Sequence, residues 1–91
     1  MSEIAVYQAN TFRRAYKKLT NAQQDDVDAA VADIVKNPAI GEQKRGDLRN
    51  VYVYKFKSNH QLMLLAYRFD PTSRMLLLLG SHENFYRELK R

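Results

Sequence analysis

Midway along this chain the apolar periodicity changes from helical to strand-like, and that change restricts the fold more than any other feature. Between Phe12 and Val35 the apolar residues recur at i, i+3, i+4 and i+7, the spacing of one face of a helix. From Val51 to Leu79, β-branched and aromatic residues crowd into short runs separated by turn residues, which is how strands read. A chain that reads helix, helix, then strand, strand, strand segregates the two kinds of element. It builds an α+β layer rather than repeating β-α units.

The elements can be placed more closely. Glu3–Gln8 alternates loosely, with Ile4 and Val6 against Glu3, Ala5 and Tyr7, and predicts a short first strand. Asn10 or Thr11 can cap the first helix. That helix turns Phe12, Ala15, Tyr16 and Leu19 inward and Arg13, Arg14, Lys17 and Lys18 outward. Thr20 or Asn21 caps a second helix running to about Lys36, whose apolar stripe is Val27, Ala30, Val31, Ile34 and Val35. Asp25, Asp26 and Asp28 sit early in it, where the helix dipole favours negative charge. A gap of only about two residues predicts an antiparallel helical hairpin. Pro38 ends the hairpin and biases Asn37 out of helical geometry.

After a polar loop, Gly41–Asp47, three strands are expected at Val51–Lys57, Leu62–Phe69 and Arg74–Leu79. Short turns at Ser58-Asn59-His60 and Asp70-Pro71-Thr72-Ser73 would join them into an antiparallel meander. Ser81–Lys90 predicts a short final helix with Phe85, Tyr86 and Leu89 at apolar spacing. The expected order is β-α-α-β-β-β-α, a single domain over residues 1–91 with the helical hairpin packed on a small, mainly antiparallel sheet.

Composition removes several classes of function. The chain has no cysteine, so disulfides and thiolate chemistry are excluded. No apolar run is long enough to span a membrane, and no basic segment with a following apolar stretch suggests a secretion signal. A cytoplasmic protein is expected. Residues 1–50 carry eight Lys/Arg against seven Asp/Glu, and residues 51–91 carry seven against three, so most of the +5 net charge belongs to the C-terminal half. Such a surface favours nucleic acid, anionic lipid or an acidic partner, or is basic only for solubility.

Candidate chemistry is sparse. Lys55 and Lys57, two apart on a strand, place their ammonium groups roughly 7 Å apart on one side of a sheet. That suits neighbouring phosphates, and equally suits a solvated face. Tyr52, Tyr54 and Phe56 take the opposite face and read as core. Of the two histidines, His60 falls in a turn. His82 follows Gly80 where the last strand hands over to the helix, with Tyr86 four residues on. The pair can serve general acid–base chemistry or be a helix-start histidine packed on a tyrosine. No His, Asp or Glu cluster has metal-ligand spacing, so neither a metal nor another cofactor is expected.

Taken in order, Lys44-Arg45-Gly46-Asp47-Leu48, Val51–Lys57, the strand containing Ala66-Tyr67, and Leu79-Gly80-Ser81-His82 resemble the RelE/ParE superfamily of bacterial toxins. The resemblance covers nearly the whole chain. It implies the toxin of a type II toxin–antitoxin pair, neutralised by a cognate antitoxin that wraps it. RelE-like members cleave mRNA on the ribosome without a metal, through the RNA's own 2′-hydroxyl. Their Tyr-Lys-x-Lys strand resembles Tyr54-Lys55-Phe56-Lys57, which implies catalytic roles for Lys55 and Lys57. Their basic residue after the last strand falls at His82, and their C-terminal catalytic tyrosine close to Tyr86. Lys44, Arg45, Lys55, Lys57 and Arg68 are then the expected RNA contacts. One position departs: the arginine of the second meander strand is replaced by Leu64, and Arg68, four residues on, is not equivalent. ParE-like members instead poison DNA gyrase without a nuclease centre, and a third possibility is an inactive homologue that only binds antitoxin. The expected activity is ribonuclease, with gyrase poison as the alternative.

Overall fold

The alternation near the N-terminus becomes strand β1, Ala5–Gln8, and the two helical stripes become α1, Asn10–Lys17, and α2, Asn21–Lys36. This computed structural model describes residues 3–44, 50–81 and 85. A 3₁₀ turn, Pro38–Ile40, precedes the two-residue strand β2, Glu42–Gln43. The meander follows as β3, Tyr52–Ser58, β4, Gln61–Asp70, and β5, Ser73–Ser81. The five strands form one sheet in the order β1-β5-β4-β3-β2. Pairing is antiparallel throughout except for β1, which runs parallel to β5.

The expected α+β layer is present, with corrections at its joints. The polar loop Gly41–Asp47 contains an unexpected strand, since Glu42 and Gln43 pair with Val53 and Tyr52. Backbone pairing at a sheet edge does not need apolar side chains, so periodicity carried no trace of it. The N-cap of α1 is Ala9, not Asn10 or Thr11. The Thr11 hydroxyl donates across to the Leu77 carbonyl instead. Thr20 does cap α2, through a capping box with Gln23. The acidic residues lie beyond the first turn of α2, and two of them are hydrogen-bond acceptors: Asp28 for the Tyr16 hydroxyl at 2.9 Å and Asp26 for the Ser58 hydroxyl at 2.8 Å. Ser81 closes β5 rather than opening a helix. The expected final helix lies outside the described residues apart from Phe85, which is helical.

Both helices cover one face of the sheet, α1 over β5 and α2 over β3. Phe12, Val27 and Ile34 meet Met63, Leu65, Tyr67, Leu76 and Leu79 there. The β3–β4 hairpin turns on Asn59 and His60 alone, with φ of 54° and 64°; two consecutive left-handed residues match the twist of flanking strands. Arg74 is buried on β5, where its guanidinium donates to the carbonyls of Ile34 at 3.3 Å and Val35 at 3.1 Å. It thereby satisfies orphan carbonyls at the end of α2. No helix among the described residues is long and apolar enough to cross a membrane.

Candidate nucleic-acid interface

The helix-free face of the sheet is set by the pinning of the other one. Tyr54 donates to Asp33 of α2 at 3.1 Å, and Ser58 donates to Asp26 at 2.8 Å. With the even positions of β3 held against α2, the odd positions must face away. Lys55 and Lys57 therefore stand exposed on the helix-free face, roughly 7 Å apart by strand geometry. Lys55 pairs with Leu64, which pairs with Gly80, and Lys57 pairs with Leu62. Neither lysine has an ion-pair partner among the described residues. Two cations side by side can accept a phosphate, or the charge that grows on a phosphoryl oxygen during displacement.

Beside the lysines the face is apolar and covered. Val51, Val53, Leu64 and Ala66 form a second small core with Phe85, against which Leu77 and Leu78 pack. Leu64, which stands where the RelE-like pattern has an arginine, is 0% exposed. A guanidinium placed there would be buried beneath Phe85. Arg68 is exposed farther along β4, opposite Met75, which is opposite Tyr7. Four residues of strand put it about 13 Å from Leu64, so it does not stand in for the missing arginine.

The remaining expected residues separate into two groups. Lys44 is half-buried beside β2 and ion-paired with Glu42 at 3.5 Å, so it is a held cation at the opposite sheet edge from β1. Arg45, His82 and Tyr86 lie outside the described residues. His60 occupies the exposed hairpin turn, as its sequence setting suggested. What the residue pattern missed is the row Lys55–Leu64–Gly80, because cross-strand register is set by turn lengths that sequence leaves open. On the helix-covered face, burial, then the bond to Asp33, raises the Tyr54 phenol above its ordinary 10.0. No group of three or more His, Cys, Asp or Glu among the described residues could hold a metal ion.

The comparisons agree with this architecture. Residues 6–90 match the model of a family described as ParE-like toxins of type II bacterial toxin–antitoxin systems. No curated protein matches the chain. Among solved structures, the chain is similar to the toxin–antitoxin complex RelBE of E. coli, with a TM-score of 0.71 at 16% identity, over 88% of this chain and 98% of the other. It is similar to the RelBE2 complex of Mycobacterium tuberculosis, with a TM-score of 0.66 at 23% identity, over 88% and 99%. A YoeB/ParE toxin from Agrobacterium tumefaciens gives a TM-score of 0.68 at 10% identity, over 87% and 99%. At these identities the structural likeness speaks for the fold alone.

Proposed function

The chain belongs to the family of ParE-like toxins of type II bacterial toxin–antitoxin systems, and from that premise we propose that it silences translation as a metal-independent, ribosome-dependent mRNA endoribonuclease. The observation that carries the reading is the exposed pair Lys55 and Lys57, with no carboxylate partner among the described residues. In this reaction the 2′-hydroxyl oxygen of the RNA attacks the adjacent phosphorus, the bond from phosphorus to the 5′-oxygen breaks, and a cyclic phosphate and a free 5′-hydroxyl result. One group must take the 2′-hydroxyl proton and another must protonate the departing 5′-oxygen. His82 and Tyr86 are the proposed proton-transfer groups, and the two lysines stabilise charge on the phosphoryl oxygens. Arg45 and Arg68 add contacts to the RNA backbone, as does Lys44 if RNA displaces Glu42. A cognate antitoxin neutralises the protein in the cell.

A second reading has its own support. Leu64 is fully buried where the RelE-like resemblance calls for arginine, which favours a gyrase poison with no nuclease centre. One experiment separates them: purified protein is added to translating ribosomes and, in parallel, to gyrase with supercoiled DNA. Cleaved ribosome-bound mRNA with unaffected gyrase supports the ribonuclease. Intact mRNA with accumulating gyrase-cleaved DNA replaces it with the poison. Inactivity in both assays, with normal growth of cells producing the soluble protein, leaves an antitoxin-binding homologue.

A further inference from the structure

We propose that the cavity between α1 and the C-terminal half of β5 is a nucleotide-binding subsite that extends the RNA track begun at Lys55 and Lys57. The inference rests on the RNA-directed reading above and adds a place where a base beyond the lysines is held.

The cavity follows from sheet topology. The pairing of β1 with β5 stops at Gln8 and Leu76, so among the described residues β5 beyond that point has a strand neighbour on one side only. The Leu77 carbonyl is taken by Thr11. Strand alternation then leaves the N–H and C=O groups of Leu79 and Ser81 directed at the open side. That opening, about 520 Å³ in volume, is bounded by Arg14, Lys18, Gln23, Gln61, Gly80 and Ser81, and its floor is apolar, from Leu19, Met63 and Leu79. The volume lies within the range of small-molecule sites, which likewise combine an apolar lining with few convergent polar groups.

Charge indicates the occupant. Helix α1 contains no acidic residue. Arg13 and Lys17, and Arg14 and Lys18, stand at i and i+4, a spacing at which like charges repel. All four are exposed and none has an ion-pair partner among the described residues. An external polyanion relieves that repulsion. The route from the lysines is short, because Lys55, Leu64 and Gly80 form one cross-strand row, about 10 Å from end to end. Gly80 both ends that row and lines the cavity. It has no side chain of its own at the sheet edge, and among the described residues a Cβ there would meet Phe85, at 4.0 Å. Phe85 covers Leu64 on the face that carries the lysines, so a strand with a phosphate on Lys55 reaches the cavity by passing around Phe85 to the edge of β5 rather than over the row. Arg14 and Lys18 meet its next phosphates. The side-chain amides of Gln23 and Gln61, together with the strand edge, offer donors and acceptors to a base.

The test measures binding apart from chemistry. A fluorescein-labelled, mixed-sequence 2′-O-methyl octaribonucleotide, which cannot be cleaved, is titrated against the full-length protein over a range of salt. The double variant Arg14→Ala/Lys18→Ala, in exposed positions, should bind about tenfold more weakly, with a log–log salt slope shallower by about 1.4, at ~0.7 per lost cation. Gln61→Leu should change the ranking of homopolymers while leaving the slope unchanged. If the double variant binds as the wild type does while Lys55→Ala/Lys57→Ala binds weakly, the subsite is refuted and the RNA-directed reading survives. If neither double variant changes binding, both fail. If Arg14→Ala/Lys18→Ala loses only affinity for the cognate antitoxin, the cavity is a protein-docking site and the proposal is overturned.

Discussion

Tyr67 and Gly41 hold one another: the Tyr67 hydroxyl accepts the Gly41 N–H at 3.0 Å and donates to the Pro38 carbonyl at 2.6 Å. The phenol of β4 thus anchors the turn that leads into the edge strand β2. Gly41 has φ of −76°, so its value is close approach rather than backbone freedom. A Cβ there would lie 2.7 Å from the Tyr67 hydroxyl oxygen and 3.0 Å from the Val53 carbonyl oxygen. Tyr67→Phe should cost about 1–3 kcal/mol, since it leaves a part-buried donor and acceptor unpaired. Gly41→Ala should cost at least ~1 kcal/mol through overpacking. Urea unfolding of both variants checks this, and losses below about half a kilocalorie per mole would show the anchor to be incidental.

The tyrosines give a pH dependence at the alkaline end. The phenols of Tyr67 and Tyr54 are raised above 10.0 chiefly by burial, and that of Tyr16 chiefly by its bond to Asp28. A raised folded pKa means the neutral form is favoured by folding. The contribution is therefore complete below pH 10.0 and fades as pH rises through the folded values. Thermal midpoints should fall steeply above pH 10, and less steeply in Tyr67→Phe. Equal slopes would contradict the assignment. At the acid end, backbone donation from Thr72 holds the Asp70 carboxyl below its ordinary 3.8, so its small contribution persists to lower pH than an isolated carboxylate allows.

Arg74 should resist replacement by lysine. Its guanidinium reaches the carbonyls of Ile34 and Val35 from one side, and those of Asp70 and Ser73 at 2.7 and 2.9 Å. A planar fork serves that arrangement and a point charge does not. Arg74→Lys should lose about 2–3 kcal/mol and Arg74→Met somewhat more, as several carbonyls lose charge-assisted donors. Unfolding midpoints, with helix content followed by circular dichroism, provide the check. A neutral Arg74→Lys would mean the cap is dispensable.

For the proposed ribonuclease, His82→Gln and Tyr86→Phe should each reduce cleavage of ribosome-bound mRNA by about a hundredfold to ten-thousandfold, with antitoxin binding and thermal stability nearly unchanged. Lys55→Ala and Lys57→Ala should weaken both RNA binding and turnover, each lowering the salt slope by roughly 0.7. A pH–rate profile without a group titrating near neutrality would remove His82 from the mechanism.

Leu64→Arg should not restore the absent arginine of the RelE-like pattern. The position is 0% exposed and lies in the small core with Phe85, so a guanidinium there loses hydration without a partner. The variant should be destabilised by about 3 kcal/mol or more. A stable, faster enzyme would show instead that Phe85 yields the space.

Several features of this protein were already determined by its sequence. The shift from a 3.6-residue to a two-residue apolar period fixed the helix pair and the meander, and the Tyr54-Lys55-Phe56-Lys57 alternation placed the aromatics inward and the lysines outward. Those features depend on residues close together in the chain, where periodicity is a direct image of which side is buried. Tertiary structure decided the rest. The parallel pairing of β1 with β5, the two-residue strand at Glu42–Gln43, and the Thr11 hydroxyl turned from capping to Leu77 all join residues far apart in sequence. So does the row that carries Lys55 through Leu64 to Gly80. Register across three strands depends on the lengths of turns and on one irregularity between Ala66 and Tyr67. A shift of one residue would reverse every side chain involved, which is why local sequence pattern alone could not place Leu64 beneath Phe85 or open the edge of β5 beside Arg14 and Lys18.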